Sequence, residues 1–308
     1  MKNHLLPEGF RDSLPEMAEK EFVLISEFVN LIKKYNFRLV KPPLVEFENS
    51  LFFLSKKDNI ESFRVLDPLS QKVMGLRSDI TTQIARIACG SLKDQSRPLR
   101  LCYFGEILKV NNSYINISRQ STQIGAELIG IDGNDLEVET INIITELLNK
   151  YKIKRFDIIL SMPTFVESIS SDFNLNNDQT LFLKKNLENK NTNELKKISK
   201  EVYETSLKLL NCVGVIENKI SNLESVNFPS KTQIEVNKYL NSIKNLENKT
   251  KDLNLIIDPI EIDKSGYHNG IMFKFYSSSM KELFSGGKYR VNNEECIGFS
   301  SLIENLIG

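Results

Sequence analysis

Four polar side chains in two short stretches carry most of the chemistry this sequence offers. In TQIGAELIG, residues 122–130, strand periodicity puts Gln123, Gly125 and Glu127 on one face, with Gly130 roughly beside them, opposite Thr122, Ile124, Ala126 and Leu128. A carboxylate and an amide beside glycines too small to fill the space above them make a floor for a small polar ligand. In LRSDITTQIARIACG, residues 76–90, Asp79 and Thr81 open a helix and could hold a ligand amine through a carboxylate and a hydroxyl. Both stretches also have ordinary readings: a Gln/Glu face is commonly the wet side of a strand, and Asp and Thr are favoured caps everywhere. Spacing alone leaves both open.

The elements that must position these residues follow from periodicity. Residues 100–130 read as two antiparallel strands, 101–110 and 122–130, joined by an Asn/Ser-rich irregular loop. Before them, residues 16–35 carry Phe22, Ile25, Phe28, Val29 and Ile32 at helical spacing, and 36–45 reads as a strand interrupted by Pro42 and Pro43. Paired prolines cannot sit inside a ladder, so this strand belongs at an edge or an interface. Residues 63–76 read as a hairpin turning at 67–70, and Ile80, Ile84 and Ile87 mark one face of the helix that follows. Beyond the central hairpin come an amphipathic helix over 135–151 and a short buried strand over 155–161. Near Pro163 the composition turns Asn/Lys/Glu-rich with Leu and Ile at helical spacing, which predicts a helical insertion over about 164–250. Strands return at 253–259 and 270–277, and a last apolar helix is expected over 296–307. Strands on both sides of a helical insertion predict an α+β fold with one antiparallel sheet flanked by helices.

Bulk composition narrows the function classes. With 308 residues, 41% hydrophobic and 26% charged, the chain is globular and long enough to bury a real core. Forty basic against forty acidic residues leave no net field to gather nucleic acid. Cys89, Cys102, Cys212 and Cys296 are isolated, and only His4 and His268 could join them at a metal, so reduced thiols and no metal or cofactor are expected. No stretch reaches membrane-spanning length, and the N-terminus MKNHLLPEGFRD lacks the apolar run of a secretion signal. A cytoplasmic protein without membrane contact is expected.

Three fragments, in this order, resemble the catalytic core of class II aminoacyl-tRNA synthetases, and histidyl-tRNA synthetase in particular. The Pro43 strand after a long helix resembles the first class II motif, which forms a dimer interface. RLCYFGEILKV followed by RQSTQIGAELIG resembles the second motif with its histidine-binding strand, and GGKYR followed by IGFSSLIENLIG the third. The resemblance covers nearly the whole chain and implies a histidine pocket. Asp79 and Thr81 fall where the family's Glu and Thr hold the ligand amine. Gln123 and Glu127 fall on its contacts to carboxylate and imidazole, Arg119 on the Arg before that strand, and Tyr267 and His268 on a tyrosine pair over the imidazole. A carboxylate beside an imidazole fixes its tautomer.

The departures from that pattern bear on function. Where the family uses arginines to neutralise ATP phosphates, this chain has Lys109 and Asn305, and the arginine before the tyrosine pair aligns with Asp263 or Lys264. Loss of these planar forks removes what stabilises a pentavalent phosphorus centre. The chain also stops just after the third motif, so no anticodon-binding domain and no tRNA partner are expected. LPEGFRD at the start and LRSDITTQIARI further on resemble the regulatory subunit of ATP phosphoribosyltransferase, a synthetase paralogue. That likeness implies a non-catalytic subunit that dimerises within a hetero-oligomer, partners the short-form catalytic subunit in the first step of histidine biosynthesis, and takes histidine as its effector. The rival is a truncated synthetase-like enzyme that still activates an amino acid with ATP, in which Lys109 serves as a point charge.

Overall fold

Two ten-residue strands, one on each side of residues 109–119, form the ladder around which the site is built. The protein is described here from a computed structural model that covers residues 5–51, 53–54, 62–110, 118–131, 133, 135–262 and 266–307. Among the described residues the strands are β1 (Arg38–Leu39), β2 (Val45–Phe47), β3 (Arg64–Leu66), β4 (Val73–Leu76), β5 (Leu99–Leu108), β6 (Gln120–Ile129), β7 (Phe156–Ser161), β8 (Gly214–Val215), β9 (Leu255–Ile257), β10 (His268–Ser277), β11 (Glu282–Val291) and β12 (Glu294–Leu302). The α-helices are α1 (Pro15–Lys34), α2 (Glu48–Leu51), α3 (Thr81–Cys89), α4 (Leu136–Lys150), α5 (Phe165–Asp172), α6 (Asn177–Glu188), α7 (Lys200–Leu210), α8 (Ile216–Ser225), α9 (Ser230–Lys249) and α10 (Ile303–Leu306). The chain divides into two units, residues 1–131, 145–152 and 291–308, and residues 132–144 and 153–290.

In the first unit the strand order is β1-β5-β6-β12. β5 and β6 pair antiparallel from Leu99↔Ile129 to Leu108↔Gln120, and β6 pairs with β12 from Ile129↔Cys296 to Gln123↔Leu302, while β1 runs parallel to β5. Two sequence expectations are corrected here. Residues 296–302 belong to a strand, and only Ile303–Leu306 is helical. Pairing with β6 satisfies their backbone and buries Cys296, Ile297 and Phe299, and a helix would carry Gly298 at a cost of about 1 kcal/mol. The expected strand over 36–45 is two short strands in different sheets, split by Pro42 and Pro43. The 63–76 hairpin forms β3 and β4, and the Asp67 carboxylate accepts from the N–H groups of Leu69 and Ser70 to close the turn. β2 completes this second sheet in the order β2-β4-β3.

Along α1 the helical spacing holds, since Phe28, Leu31 and Ile32 are buried, but Phe22 is 71% exposed. α3 buries Thr81, Gln83, Ile84, Ala85 and Ala88, the face that lies toward β6. Its N-terminus lacks a conventional side-chain cap: of the α3 N–H groups, the Asp79 carboxylate accepts from Thr81 N, at 3.3 Å.

In the second unit the order is β11-β10-β7-β9-β8, antiparallel except for β7 beside β9. The helices expected after Pro163 run from α5 to α9, with β8 among them pairing on β9. α9 turns Val236, Tyr239, Ile243 and Leu246 inward, where Tyr239 stacks edge-on against Phe165 at 5.9 Å and donates its hydroxyl to Leu160 O at 2.6 Å. A buried hydroxyl needs such a partner. The α9 start is held by Asp172, which accepts from Lys231 N (2.9 Å) and Thr232 N (2.8 Å). No described helix is long and apolar enough to cross a membrane.

Candidate functional site

The β6 face carrying Gln123 and Glu127 is buried, so the wet-strand reading fails: Gln123 is 5% and Glu127 1% exposed. Burial at that level demands partners, and the first unit supplies them in one run. Gln123 Oε1 accepts from Ile80 N at 2.8 Å, and its Nε2 donates to Asp79 Oδ1 at 2.7 Å. Tyr103 O–H donates to Glu127 Oε1 at 3.2 Å and lies 2.8 Å from Thr81 Oγ1. Each hydroxyl has one proton, so the sequence of donation is Thr81 to Tyr103 to Glu127. The start of α3 is thereby fastened to β5 and β6, and Asp79, Thr81, Gln123 and Glu127 come together, which the spacing left open and the resemblance implies.

The glycines work differently from the sequence expectation. The side of β6 above Gly125 is covered by the Tyr103 ring across the ladder, and an added Cβ would also come 2.7 Å from Phe299 O. On β12, Gly298 pairs with Glu127, and a Cβ there would overlap the Glu127 carboxylate. Gly130 has left the face altogether: at φ +74° it ends the strand under the Arg97 side chain. The glycines are thus slots that let Tyr103 and Glu127 lie flat on the sheet. Sequence reasoning missed Tyr103, although a large polar aromatic opposite a glycine in a paired register was the available signal.

Arg119 is held differently. Its guanidinium stacks on Phe63 (4.5 Å) and Phe10 (5.5 Å), rings that meet edge-on at 6.0 Å, and the backbone N–H of Arg119 donates to Gly9 O at 2.8 Å. The arginine therefore clasps the N-terminal loop to the start of β6. In the second unit, Tyr267 and His268 stack with ring centroids 4.5 Å apart, and Tyr267 meets Tyr289 edge-on at 5.6 Å. Asp263 and Lys264 lie outside the described residues.

A cavity of about 320 Å³ opens in the first unit, lined by Arg11, Asp12, Glu21, Glu106, Thr122 and Glu304 among others. The Thr122 hydroxyl sits between the Glu21 and Glu106 carboxylates, 2.7 Å from the latter. Burial pushes the Glu304 carboxyl above its ordinary value, and the negative charges of Glu21 and Glu106 add to the shift. Glu304 adjoins Asn305, and Glu106 lies three residues before Lys109, so acids gather where the resemblance expects phosphate-binding cations. Such a lining repels a triphosphate.

The raised carboxyl has a consequence for stability. Because folding favours the protonated form, the Glu304 contribution is fully present below pH 4.5 and is lost as pH rises through the folded-state value. Glu304→Gln, uncharged at every pH, is therefore expected to melt above the parent near neutrality and to converge with it in acid. Thermal melts across that window measure the difference, and a constant offset at all pH values contradicts the assignment.

The sequence matches the histidyl-tRNA synthetase family over residues 9–306. A curated relative from Paramagnetospirillum magneticum, an ATP phosphoribosyltransferase regulatory subunit, is 32% identical over 288 residues, 93% of this chain and 76% of that protein. Among solved structures, an ATP phosphoribosyltransferase regulatory subunit/histidyl-tRNA synthetase from Bacillus halodurans superposes with a TM-score of 0.86 at 22% identity, over 99% of this chain and 83% of its own. The ATP phosphoribosyl transferase (HisG:HisZ) complex from Thermotoga maritima contains a chain that superposes with a TM-score of 0.68 at 16% identity, over 92% of this chain and 97% of that one. The family match over nearly the whole length, together with a curated relative of this identity and coverage, settles the lineage: the chain belongs to the histidyl-tRNA synthetase family, among its ATP phosphoribosyltransferase regulatory subunits.

Proposed function

We propose that this chain is the non-catalytic regulatory subunit of an ATP phosphoribosyltransferase, needed for the activity of a short-form catalytic subunit and for feedback inhibition by histidine. The observation that carries the reading is the presence, in one unit, of a buried polar constellation and an acid-lined cavity. Asp79 and Thr81 take the ligand amine, Gln123 its carboxylate end and Glu127 its imidazole, with Arg119 beside them, and the family pattern makes Tyr267 and His268 of the second unit candidate histidine-binding residues in their own right. The cavity lining disfavours nucleotide, which supports regulation over amino-acid activation.

Feedback requires histidine to bind the inhibited assembly more tightly than the active one, because equal affinity shifts nothing. Self-association through the Pro43 region is supported by apolar side chains left exposed around it: Leu39, Leu44, Phe47 and Val65 are 39–46% exposed. The helical segment 164–250 is read as an insertion, the site of action as the cytoplasm, and tRNA as no partner.

Two assays test this. Phosphoribosyl-ATP synthesis by a short-form catalytic subunit is expected to depend on co-purified chain and to fall when histidine is added. Histidine-dependent ATP–pyrophosphate exchange is expected to stay at background. Robust exchange, or a catalytic subunit indifferent to this chain, overturns the proposal.

A further inference from the structure

The segment that bears Asp79 and Thr81 is held on a second side as well. Arg77, two residues before Asp79 and 6% exposed, lies across Gly105 of β5, where a side chain would displace it. Its Nε donates to Glu106 O at 2.7 Å and its Nη1 to Pro42 O at 3.0 Å, while its own N–H donates to Leu44 O at 3.1 Å. Gln83, on the buried face of α3 and fully inaccessible, donates through Nε2 to both Pro43 O and Glu46 Oε1, each at 2.8 Å. Arg86, one turn on, pairs with Glu46 through Nε at 3.0 Å.

Residues 77–86 therefore carry two sets of buried hydrogen bonds. One set runs to Gln123 and Tyr103 in the candidate pocket, the other to residues 42–46. Both sets are buried or partly buried, so a shift of the segment that breaks bonds on one side is costly unless it is answered on the other. The positions at the far end are the diproline segment and β2, whose Phe47 is exposed.

We propose that Arg77 and Gln83 are positioning residues that transmit occupancy of the amino-acid pocket to the Pro42–Pro43 segment and β2. This rests on the histidine-pocket reading above. A ligand amine and carboxylate compete for the Asp79 and Gln123 groups that now bond each other, so binding must re-seat the start of α3. Arg77 and Gln83 carry that displacement to the backbone carbonyls of the two prolines and to Glu46.

The chain has no tryptophan, so Phe47→Trp in the full-length protein gives a single reporter. Addition of L-histidine is expected to shift its emission along the same isotherm that calorimetry records for binding. In the reporter background, Gln83→Met, which keeps the volume and removes both donations, is expected to leave the histidine Kd within about threefold while cutting the emission change by about half or more. Arg77→Lys, which keeps the charge and loses the fork, is expected to do the same and stands in if the first variant does not fold. Histidine heat without an emission change in the parent reporter overturns the coupling while sparing the pocket, and so does an undiminished response in both variants. Absence of histidine heat with and without the catalytic subunit overturns the pocket itself, and the coupling with it.

Discussion

Gly298→Ala is expected to weaken histidine binding by about 10-fold or more, although residue 298 has no side chain with which to touch a ligand. Its Cβ would occupy the place of the Glu127 carboxylate, which lies flat on β12 and takes the Tyr103 proton. Glu127 must then swing away from a position that is 1% exposed, breaking the donation from Thr81 through Tyr103 at its acceptor end. A hydrogen bond between a charged group and the imidazole is worth about 1.5–3 kcal/mol, so its loss alone lowers affinity by about 10- to 100-fold. Overpacking adds a stability cost of about 1–3 kcal/mol, a fall in Tm of about 2–8 °C. Glu127→Gln separates the two effects: it keeps the shape and an acceptor for Tyr103, so affinity should fall similarly while Tm changes little. Calorimetry with histidine and thermal melts measure both. A Gly298→Ala protein that binds histidine as the parent does removes Glu127 from the site.

That result would also show how far a glycine can be read from sequence. Gly125 and Glu127 sit in one alternating run, and the run correctly places Gln123 and Glu127 on a shared face. What alternation cannot supply is the neighbour across the ladder. Tyr103 fills the side above Gly125, and Gly298, 171 residues after Glu127, comes from a segment that reads locally as a helix. Residues 296–302 took the strand state because β6 offered seven paired positions, a tertiary gain that outweighs a local apolar pattern compatible with either state. The long helices α1 and α4 were legible because 15 or more residues kept one period. Phe22 shows the limit of that signal: it obeys the α1 spacing and is still exposed, since periodicity names a stripe and packing decides its width. The acid lining around Thr122 was illegible for the same reason as Tyr103. Glu21, Glu106 and Glu304 come from α1, β5 and α10, and only the fold brings them to one cavity.

Arg77 belongs to the same class of hidden residues, and its removal is the largest stability effect expected in the first unit. Burial holds its guanidinium below the ordinary arginine range, while the charges of Glu106 and Glu46 pull the other way. The side chain thus remains a cation in a poorly solvated place because fixed acceptors surround it. Arg77→Met fills a similar volume but leaves Pro42 O, which is buried, and Glu106 O, which is partly buried, without their donor. Each lost bond to a charged donor costs about 1.5–3 kcal/mol, partly offset by relief of the buried charge, so a net loss of about 3 kcal/mol is expected. Urea unfolding measures the loss as a lower midpoint at unchanged slope. A fall of less than about 1 kcal/mol would mean that the carbonyls of residues 42 and 106 find other donors, and that the segment carrying Asp79 is not braced from this side.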